Sequence, residues 1–290
     1  MVKDIIQSFK AGQFNSIIIY GATASGKSDL ALKLGNELSN PLIINGDSMQ
    51  VYKDIPIITA QPKDLSGHYL YSFISPDDNS FSVAKWLSLV AEKVNSGSIT
   101  PIIVGGTGMY ISSLINGLTQ IPEIPIEITQ NITQELNSHG LENLLNKLKS
   151  VDPLTASKIS DQQRTIRALG VYEYTGKPIS HWQKFNHKYI DSSKSMKVWV
   201  KPPREILYER INSRFIKMIE RGVVDELKIL MEKYNSYPKA IGLREVAEYI
   251  NGNIDMIQLI NTVQQLTRNY AKRQETWFRN QLLAHIVKWL

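Results

Sequence analysis

The segment Gly21-Ala22-Thr23-Ala24-Ser25-Gly26-Lys27-Ser28 constrains the fold of this chain more than any other feature. It matches G-x-x-x-x-G-K-[ST] at every required position. An apolar run at residues 16–20 precedes it and reads as a buried strand, and leucines recurring every fourth residue predict a helix at 27–38. In such a strand–loop–helix unit, backbone N–H groups, the helix N-terminus and the lysine all point at phosphate oxygens. The sequence therefore predicts a phosphate site.

The phosphate-binding residues are expected to be Gly21, Ala22, Thr23, Ala24, Ser25, Gly26, Lys27 and Ser28. The hydroxyl of Ser28 is the type of group that ligates Mg²⁺ in these loops, so Mg²⁺ is the expected cofactor and Ser28 its protein ligand. The motif alone does not say whose phosphates are bound. Nucleoside triphosphates are the usual ligands, so kinases and ATPases have to be considered.

Short apolar runs alternate with amphipathic segments in the first part of the chain, which is typical of a parallel α/β sheet. Strands are predicted at residues 16–20, 41–44, 101–104 and 198–200, and a helix at 82–94. The chain is therefore expected to be an α/β protein with a P-loop NTPase-like parallel sheet core. Residues 1–117 and 195–290 are expected to form this core domain, including helices near the C-terminus.

The character of the sequence changes between residues 118 and 194. A stretch with two prolines leads into helical patterns at 126–148 and 153–174, so these residues are predicted to form a helical insertion domain. After residue 203 the pattern is almost entirely helical. Helices are expected at 204–221, 223–234, 241–251 and from 255 to the end.

Composition and charge narrow the class of protein. The chain has 290 residues, no cysteine and a formal net charge of +6. The lack of cysteine excludes disulfides, thiolate metal sites and thiol catalysis. The sequence shows neither a signal peptide nor an apolar stretch long enough to span a membrane, so a cytoplasmic protein without membrane contact is expected. The positive charge favours a polyanionic partner, although many unrelated proteins are equally basic.

Polar residues follow two predicted strands at the edge where a parallel sheet binds its ligands. Residues 47–50 (Asp-Ser-Met-Gln) follow the second strand, and residues 105–108 (Gly-Gly-Thr-Gly) follow the third. A carboxylate at Asp47 can bind Mg²⁺ or act as a general base, but an aspartate here can also serve only as a helix cap. The glycine loop can bring amides and the Thr107 hydroxyl to an anion, or simply form a tight turn.

Five motifs in one order carry a resemblance to a known family. They are GATASGKS at 21–28, DSMQVYK at 47–53, VGGTGMY at 104–110, QRTIRALGVYEYTGKPIS at 163–180 and TRNYAKRQETWF at 267–278. The chain resembles the tRNA dimethylallyltransferases of bacterial type, also called tRNA isopentenyltransferases, from about residue 16 to residue 279. One departure is Gln61, which stands where the family commonly has a positive charge.

The resemblance implies a reaction. A dimethylallyl group passes from dimethylallyl diphosphate to the exocyclic amine of the adenosine 3′ of the anticodon, in tRNAs that read codons beginning with U. The P-loop holds the diphosphate, and a monomer is expected. By resemblance, Asp47 is the general base, Thr107 hydrogen-bonds the diphosphate and Arg214 stabilises the leaving group, with the nearby Arg210 as the alternative to Arg214. The residues matching tRNA contacts are Asp47, Ser48, Met49, Gln50, Gln163, Arg164, Thr165, Ile166 and Arg167.

Three other functions compete with this interpretation: a free-nucleotide prenyltransferase, a metabolite kinase and a non-catalytic RNA-binding module, the last of which leaves the intact P-loop unexplained. An adenylate isopentenyltransferase would prenylate a free adenine nucleotide with the same donor, and a P-loop kinase would phosphorylate a small metabolite. The insertion domain and the basic C-terminal helices favour a macromolecular acceptor over the first. The second accounts for about the first 110 residues only and leaves the later motifs unexplained.

Overall fold

The computed structural model describes residues 2–288 of the chain. These residues form two compact units. One comprises the residues up to 115 together with those from 189 onward, and the other comprises Asn116–Lys188. None of the described helices combines the length with the apolar character that crossing a bilayer requires.

A parallel sheet organises the first unit. Within the described residues the strands are β1 (Ser16–Gly21), β2 (Pro41–Asn45), β3 (His68–Tyr69), β4 (Thr100–Gly105), β5 (Leu118–Thr119), β6 (Asn186–His187), β7 (Ser195–Val200) and β8 (Ile286–Lys288). Six of them form one sheet in the order β3-β2-β4-β1-β7-β8, with every neighbouring pair parallel. The strands β5 and β6 form an antiparallel pair in the second unit.

The helices account for most of the remaining chain. They are α1 (Val2–Ser8), α2 (Lys27–Gly35), α3 (Val83–Asn95), α4 (Gly108–Asn116), α5 (Ile126–Val151), α6 (Pro153–Ala156), α7 (Gln162–Thr175), α8 (Ile179–Trp182), α9 (Arg204–Glu220), α10 (Val223–Lys233), α11 (Leu243–Ile250) and α12 (Met256–Gln281). The predicted parallel α/β core with a helical C-terminal region is confirmed.

The central strand β1 is buried along its whole length, between β4 and β7. Ile17 and Ile19 pack in one hydrophobic cluster with Leu30 and Leu34 of α2. Both faces of a parallel strand are covered, which explains why this segment is continuously apolar rather than alternating. Because β2, β4 and β1 are adjacent and parallel, the loops that follow them meet at one edge of the sheet.

The C-terminal end of the chain departs from the prediction. A helix running from residue 255 to the end is wrong, because α12 ends at Gln281 and the backbone is extended at Leu282. The amide of His285 donates to the carbonyl of Lys197 at 3.0 Å, and β8 then pairs with the open edge of β7. A three-residue strand has too little sequence to signal itself, and its position depends on an edge formed about 90 residues earlier. The short strand β3 was missed for the same reason.

The second unit is built from helices α5 to α8. The helix predicted at 126–148 is α5, which is kinked at Gly140. The helical pattern predicted at 153–174 corresponds to two helices, α6 and α7, with a non-helical connection at 157–161. The side chains of Asp152 and Asp161 accept hydrogen bonds from the amides of Thr155 and Arg164, at 3.1 and 3.0 Å, and so cap two separate helices. Apolar residues of α5 and α7 form the core of this unit.

The ends of β2 and β4 approach so closely that side chains do not fit between them. A Cβ atom on Gly105 would lie 2.0 Å from the carbonyl oxygen of Gly46, which belongs to the backbone and cannot move aside. The amide of Gly46 donates to the carbonyl of Val104 at 2.7 Å. Beyond this contact, the amide of Ser48 donates to the hydroxyl of Thr107 at 2.9 Å. The two glycines therefore bring the two loops together.

Replacing Gly105 tests this contact. We expect Gly105→Ala to lower the free energy of unfolding by about 3 kcal/mol, because the backbone must shift to admit the methyl group. Gly35→Ala is the matched control, since a Cβ there would meet its nearest neighbour at 3.8 Å, an ordinary contact. The control should be neutral or stabilise by up to about 1 kcal/mol. Urea denaturation measures both, and equal effects of the two changes would contradict the role of Gly105.

Candidate active site

The P-loop connects β1 to α2 in a conformation that carries backbone strain. Gly26 has φ +94° at the start of α2, and Ala24 has φ +61°, which is uncommon for a residue with a side chain. The amide of Ser25 donates to the carbonyl of Ala22 at 3.2 Å. The hydroxyl of Ser25 is buried without a hydrogen-bond partner. These features are typical of a loop whose polar groups are arranged for an anion.

Two cavities adjoin the P-loop. The larger, about 700 Å³, is lined by the P-loop and by Arg210, Arg214 and Lys217 of α9. We call it the phosphate cavity. The smaller, about 350 Å³, combines an apolar patch that includes Ile211, Phe215 and Val263 with polar and charged groups such as Lys239 and Arg273. We call it the apolar cavity. The residues that line both are Thr23, Asp47, Thr59 and Arg214.

Two partly desolvated cations face the phosphate cavity. Burial lowers the pKa of Lys27 to about 8, a shift that Asp47 opposes and Arg214 reinforces. Burial lowers the pKa of Arg214 to about 10, again opposed by Asp47. The Lys27 ammonium donates to the carbonyl of Ala22 at 3.2 Å, and the Arg214 guanidinium donates to the hydroxyl of Thr23. With one carboxylate between two cations, the cavity is electrostatically prepared for an anion.

The carboxylate of Asp47 is fixed by its own turn. Its Oδ1 accepts from the amide of Met49 at 2.9 Å, and its amide donates to the side chain of Asn45 at 2.8 Å. Asn45 is itself held, because its carbonyl accepts from the indole of Trp86 at 2.7 Å. The second oxygen, Oδ2, faces Gly106, where a Cβ atom would lie 3.5 Å away. Asp47 therefore presents one oriented oxygen toward the glycine loop.

The structure brings Thr107 next to Ser48 rather than leaving its hydroxyl free. Thr107 Oγ1 accepts from the amide of Ser48 and donates to its hydroxyl at 3.2 Å. Ser48 and Met49 line the apolar cavity, and Gln50 lines the phosphate cavity. Thr107 therefore lies beside the turn that carries Asp47, but it lines neither cavity, whereas Asp47 and Arg214 line both.

Sequence reasoning missed the role of Gln274. This side chain on α12 is 6% exposed, accepts from the amide of Thr23 at 2.8 Å and donates to the carbonyl of Gly106 at 2.7 Å. It thus connects the P-loop to the glycine loop. The residue lies in a basic, aromatic-rich motif, which drew attention to its charged neighbours instead.

The predicted contacts on α7 divide into exposed and buried residues. Gln163, Arg164 and Arg167 are exposed and line a shallow groove of the second unit. Thr165 is buried and donates its hydroxyl to the carbonyl of Asp161, and Ile166 packs against the core of the unit. The first three side chains are accessible to a polyanion, whereas Thr165 has a structural role within the helix.

The chemistry of the phosphate cavity fits a divalent cation only in part. Within residues 2–288, no cluster of three acidic or histidine side chains can hold a metal ion. The exposed Ser28 at the start of α2 lines the cavity, as does Asp47. A magnesium ion here would depend on phosphate oxygens for most of its ligands, as magnesium sites at P-loops do.

Comparison with known proteins gives a consistent result. The sequence matches the family model described as IPP transferase over residues 50–281. A tRNA dimethylallyltransferase of Bartonella tribocorum is 42% identical over 276 residues, covering 91% of this chain and 94% of the relative. A tRNA dimethylallyltransferase of Wolbachia pipientis from Culex pipiens is 43% identical over 279 residues, covering 92% and 93%.

Solved structures agree with the sequence relatives. The tRNA isopentenylpyrophosphate transferase of Bacillus halodurans aligns with a TM-score of 0.63 and 32% identity, covering 95% of this chain and 89% of that one. A eukaryotic dimethylallyltransferase acting on tRNA aligns with a TM-score of 0.78 and 27% identity, covering 94% and 74%. The P-loop NTPase-like sheet core is thus shared with these structures.

The pKa of Lys27 leads to a pH dependence of anion binding. As the pH rises through about 8, the free protein loses this positive charge, so its affinity for inorganic diphosphate should fall. We expect up to about tenfold loss per pH unit above 8. In Lys27→Arg the guanidinium stays charged, so this loss should largely disappear. Calorimetric titrations between pH 7 and 10 test this, and the arginine variant corrects for ionisation of the diphosphate itself. Parallel curves for the two proteins would exclude Lys27 as the titrating group.

Proposed function

This chain belongs to the IPP transferase family, and we propose that it acts as a tRNA dimethylallyltransferase. It transfers a dimethylallyl group from dimethylallyl diphosphate to the exocyclic amine of the adenosine 3′ of the anticodon, in tRNAs reading codons that begin with U. Diphosphate is released. The observation that carries the proposal is the position of Asp47, whose side chain lines both cavities beside Arg214.

The donor fits the division of the site into a charged and an apolar part. The P-loop amides, Lys27 and Arg214 bind the diphosphate in the phosphate cavity. The dimethylallyl group is apolar, and the adjoining cavity offers it Ile211 and Phe215 of α9. A nucleoside triphosphate has no apolar group beyond its terminal phosphate, so it would not bury any apolar surface against these side chains. The site therefore favours an allylic diphosphate over a phosphoryl donor.

The chemistry requires one base and several positive groups. The exocyclic amine of adenine is a poor nucleophile, because its lone pair is delocalised into the ring. Asp47 Oδ2 accepts the proton of that amine as its nitrogen bonds to the allylic carbon and the carbon–oxygen bond to diphosphate breaks. Lys27 and Arg214 stabilise the charge that collects on the leaving diphosphate. Magnesium, held by Ser28 and diphosphate oxygens, would neutralise part of the same charge.

The acceptor has to leave its stacked position in the anticodon loop to reach Asp47, as in other enzymes that modify bases. We assign Ser48, Met49 and Gln50, which line the cavities, to contacts with the extruded nucleotide and its neighbours. Gln163, Arg164 and Arg167 in the insertion domain bind the RNA through its phosphates. The groups proposed here all belong to one chain, so we expect a monomer, acting in the cytoplasm with its tRNA.

A transfer assay tests the proposal. Purified protein, Mg²⁺ and radiolabelled dimethylallyl diphosphate are mixed with an anticodon stem-loop carrying three consecutive adenosines, or with AMP. We expect label on the RNA alone, and none when the target adenosine is replaced by guanosine. Label on AMP alone would instead identify an adenylate isopentenyltransferase. Consumption of ATP without any transfer would point to a kinase.

Asp47→Asn tests the proposed base. Asparagine retains an oxygen that can accept from Met49, so the turn should persist, but it cannot take a proton. We expect single-turnover transfer to slow by about 10²- to 10⁴-fold, with RNA affinity unchanged. Glu92→Gln, which neutralises an exposed carboxylate on α3, is the control and should transfer at the wild-type rate. Near-normal transfer by Asp47→Asn would exclude Asp47 as the base.

Arg164→Ala combined with Arg167→Ala tests the RNA contact of the insertion domain. Loss of two phosphate contacts should weaken stem-loop binding and reduce the slope of log K against log salt by about 1. Lys85→Ala with Lys149→Ala removes the same charge from exposed positions on other helices and serves as the control. Filter binding across a salt series measures both. An unchanged slope in the arginine variant would mean that these residues form only a solvated surface.

A further inference from the structure

Glu226 uses both of its carboxylate oxygens on a distant backbone segment. The residue lies in the first turn of α10, yet its Oε1 accepts from the amide of Ile57 at 2.6 Å and its Oε2 from the amide of Ile58 at 2.9 Å. Burial raises the pKa of this carboxyl, while the two amides and Arg221 lower it. A half-buried carboxylate that binds two consecutive amides makes strong, directional contacts.

The bound segment is part of the wall of both cavities. Ile58 lines the apolar cavity, Thr59 lines both, and Ala60 lines the phosphate cavity. Ala60 has φ +54°, so the segment turns sharply at this point. We call residues 57–60 the dividing loop. Its position determines the shape of the boundary between the two proposed substrate sites.

The dividing loop is held from its other side by Gln50. The side-chain amide of Gln50 donates to the carbonyl of Thr59 at 2.9 Å and to that of Ala60 at 3.0 Å. Gln61 is 5% exposed and donates to the carbonyl of Tyr52 at 2.8 Å and to the hydroxyl of Thr59 at 3.1 Å. Glu226 thus binds the amides of the loop, and Gln50 binds its carbonyls. Ile58 also packs in the hydrophobic cluster that contains Phe215 and Val263.

We propose that Glu226 is a positioning residue for prenyl transfer, which orients the donor by fixing the dividing loop. This rests on the proposed function. Glu226 acts through the backbone of Ile57 and Ile58, and the residues that follow them contact the donor. Because small misplacements of a bound substrate cost large factors in rate, loss of this contact alters the reaction itself.

Glu226→Gln removes one of the two contacts, since the amide nitrogen of glutamine cannot accept from a backbone N–H. We expect the KM for dimethylallyl diphosphate to rise about fivefold to tenfold and kcat to fall about tenfold, with stem-loop affinity unchanged. Asp225→Asn is the matched control. This neighbouring carboxylate is 76% exposed and pairs only with Lys228 among the described ion pairs, so its loss should change neither constant.

The KM for the donor separates positioning from stability. A variant that merely unfolds more readily has fewer active molecules, which lowers the apparent kcat but leaves KM unchanged. The assays are therefore carried out at a temperature well below the midpoint of thermal unfolding of each variant. If Glu226→Gln folds poorly, Glu226→Asp replaces it, because the shorter carboxylate cannot reach both amides. An unchanged donor KM in the folded variant would overturn the inference. Absence of transfer by the wild-type protein would instead refute the proposed function.

Discussion

The site depends on the parallel packing of β2, β4 and β1, which brings three loops to one edge of the sheet. Parallel neighbours end on the same side, and the contact between Gly46 and Gly105 removes the side chains that would keep two of these loops apart. Gln274 then binds the P-loop and the glycine loop, and Thr107 of the glycine loop accepts from the amide of Ser48 in the turn that carries Asp47. No single loop contains the proposed chemistry. It arises where the three meet.

The electrostatics of the site follow from that arrangement. Lys27 and Arg214 are desolvated beside one carboxylate, so their charges are only partly compensated before an anion binds. An arrangement of this kind gains more from a leaving diphosphate, whose negative charge grows as the bond breaks, than from a neutral ligand. Asp47 belongs to the same group of charges, and the proposed proton transfer would take place next to the cations that stabilise the leaving group.

The sequence predicts most of this site, but not the contacts that hold it together. The P-loop, Asp47 and Thr107 are recognisable because each lies in a short motif directly after an apolar strand. The roles of Gln274 and Glu226 are not, because each binds backbone groups more than 160 residues away, and such partners leave no local pattern. The strand β8 escapes prediction similarly, since its stability comes from the edge of β7. The helices and buried strands largely follow from neighbours in sequence, whereas short edge strands and loop positions depend on long-range hydrogen bonds.

The choice of donor resides in the helices rather than in the phosphate loop. A P-loop binds the phosphates of many compounds, so this loop by itself does not determine the donor. The groups that would distinguish an allylic diphosphate lie on the helical part: Arg214, Ile211 and Phe215 on α9, and Glu226 on α10 through the dividing loop. Helices that follow the sheet in sequence thus surround a general phosphate site with a specific apolar wall. In this way, a sheet architecture shared with nucleotide-binding proteins can support the transfer of a dimethylallyl group instead of a phosphoryl group.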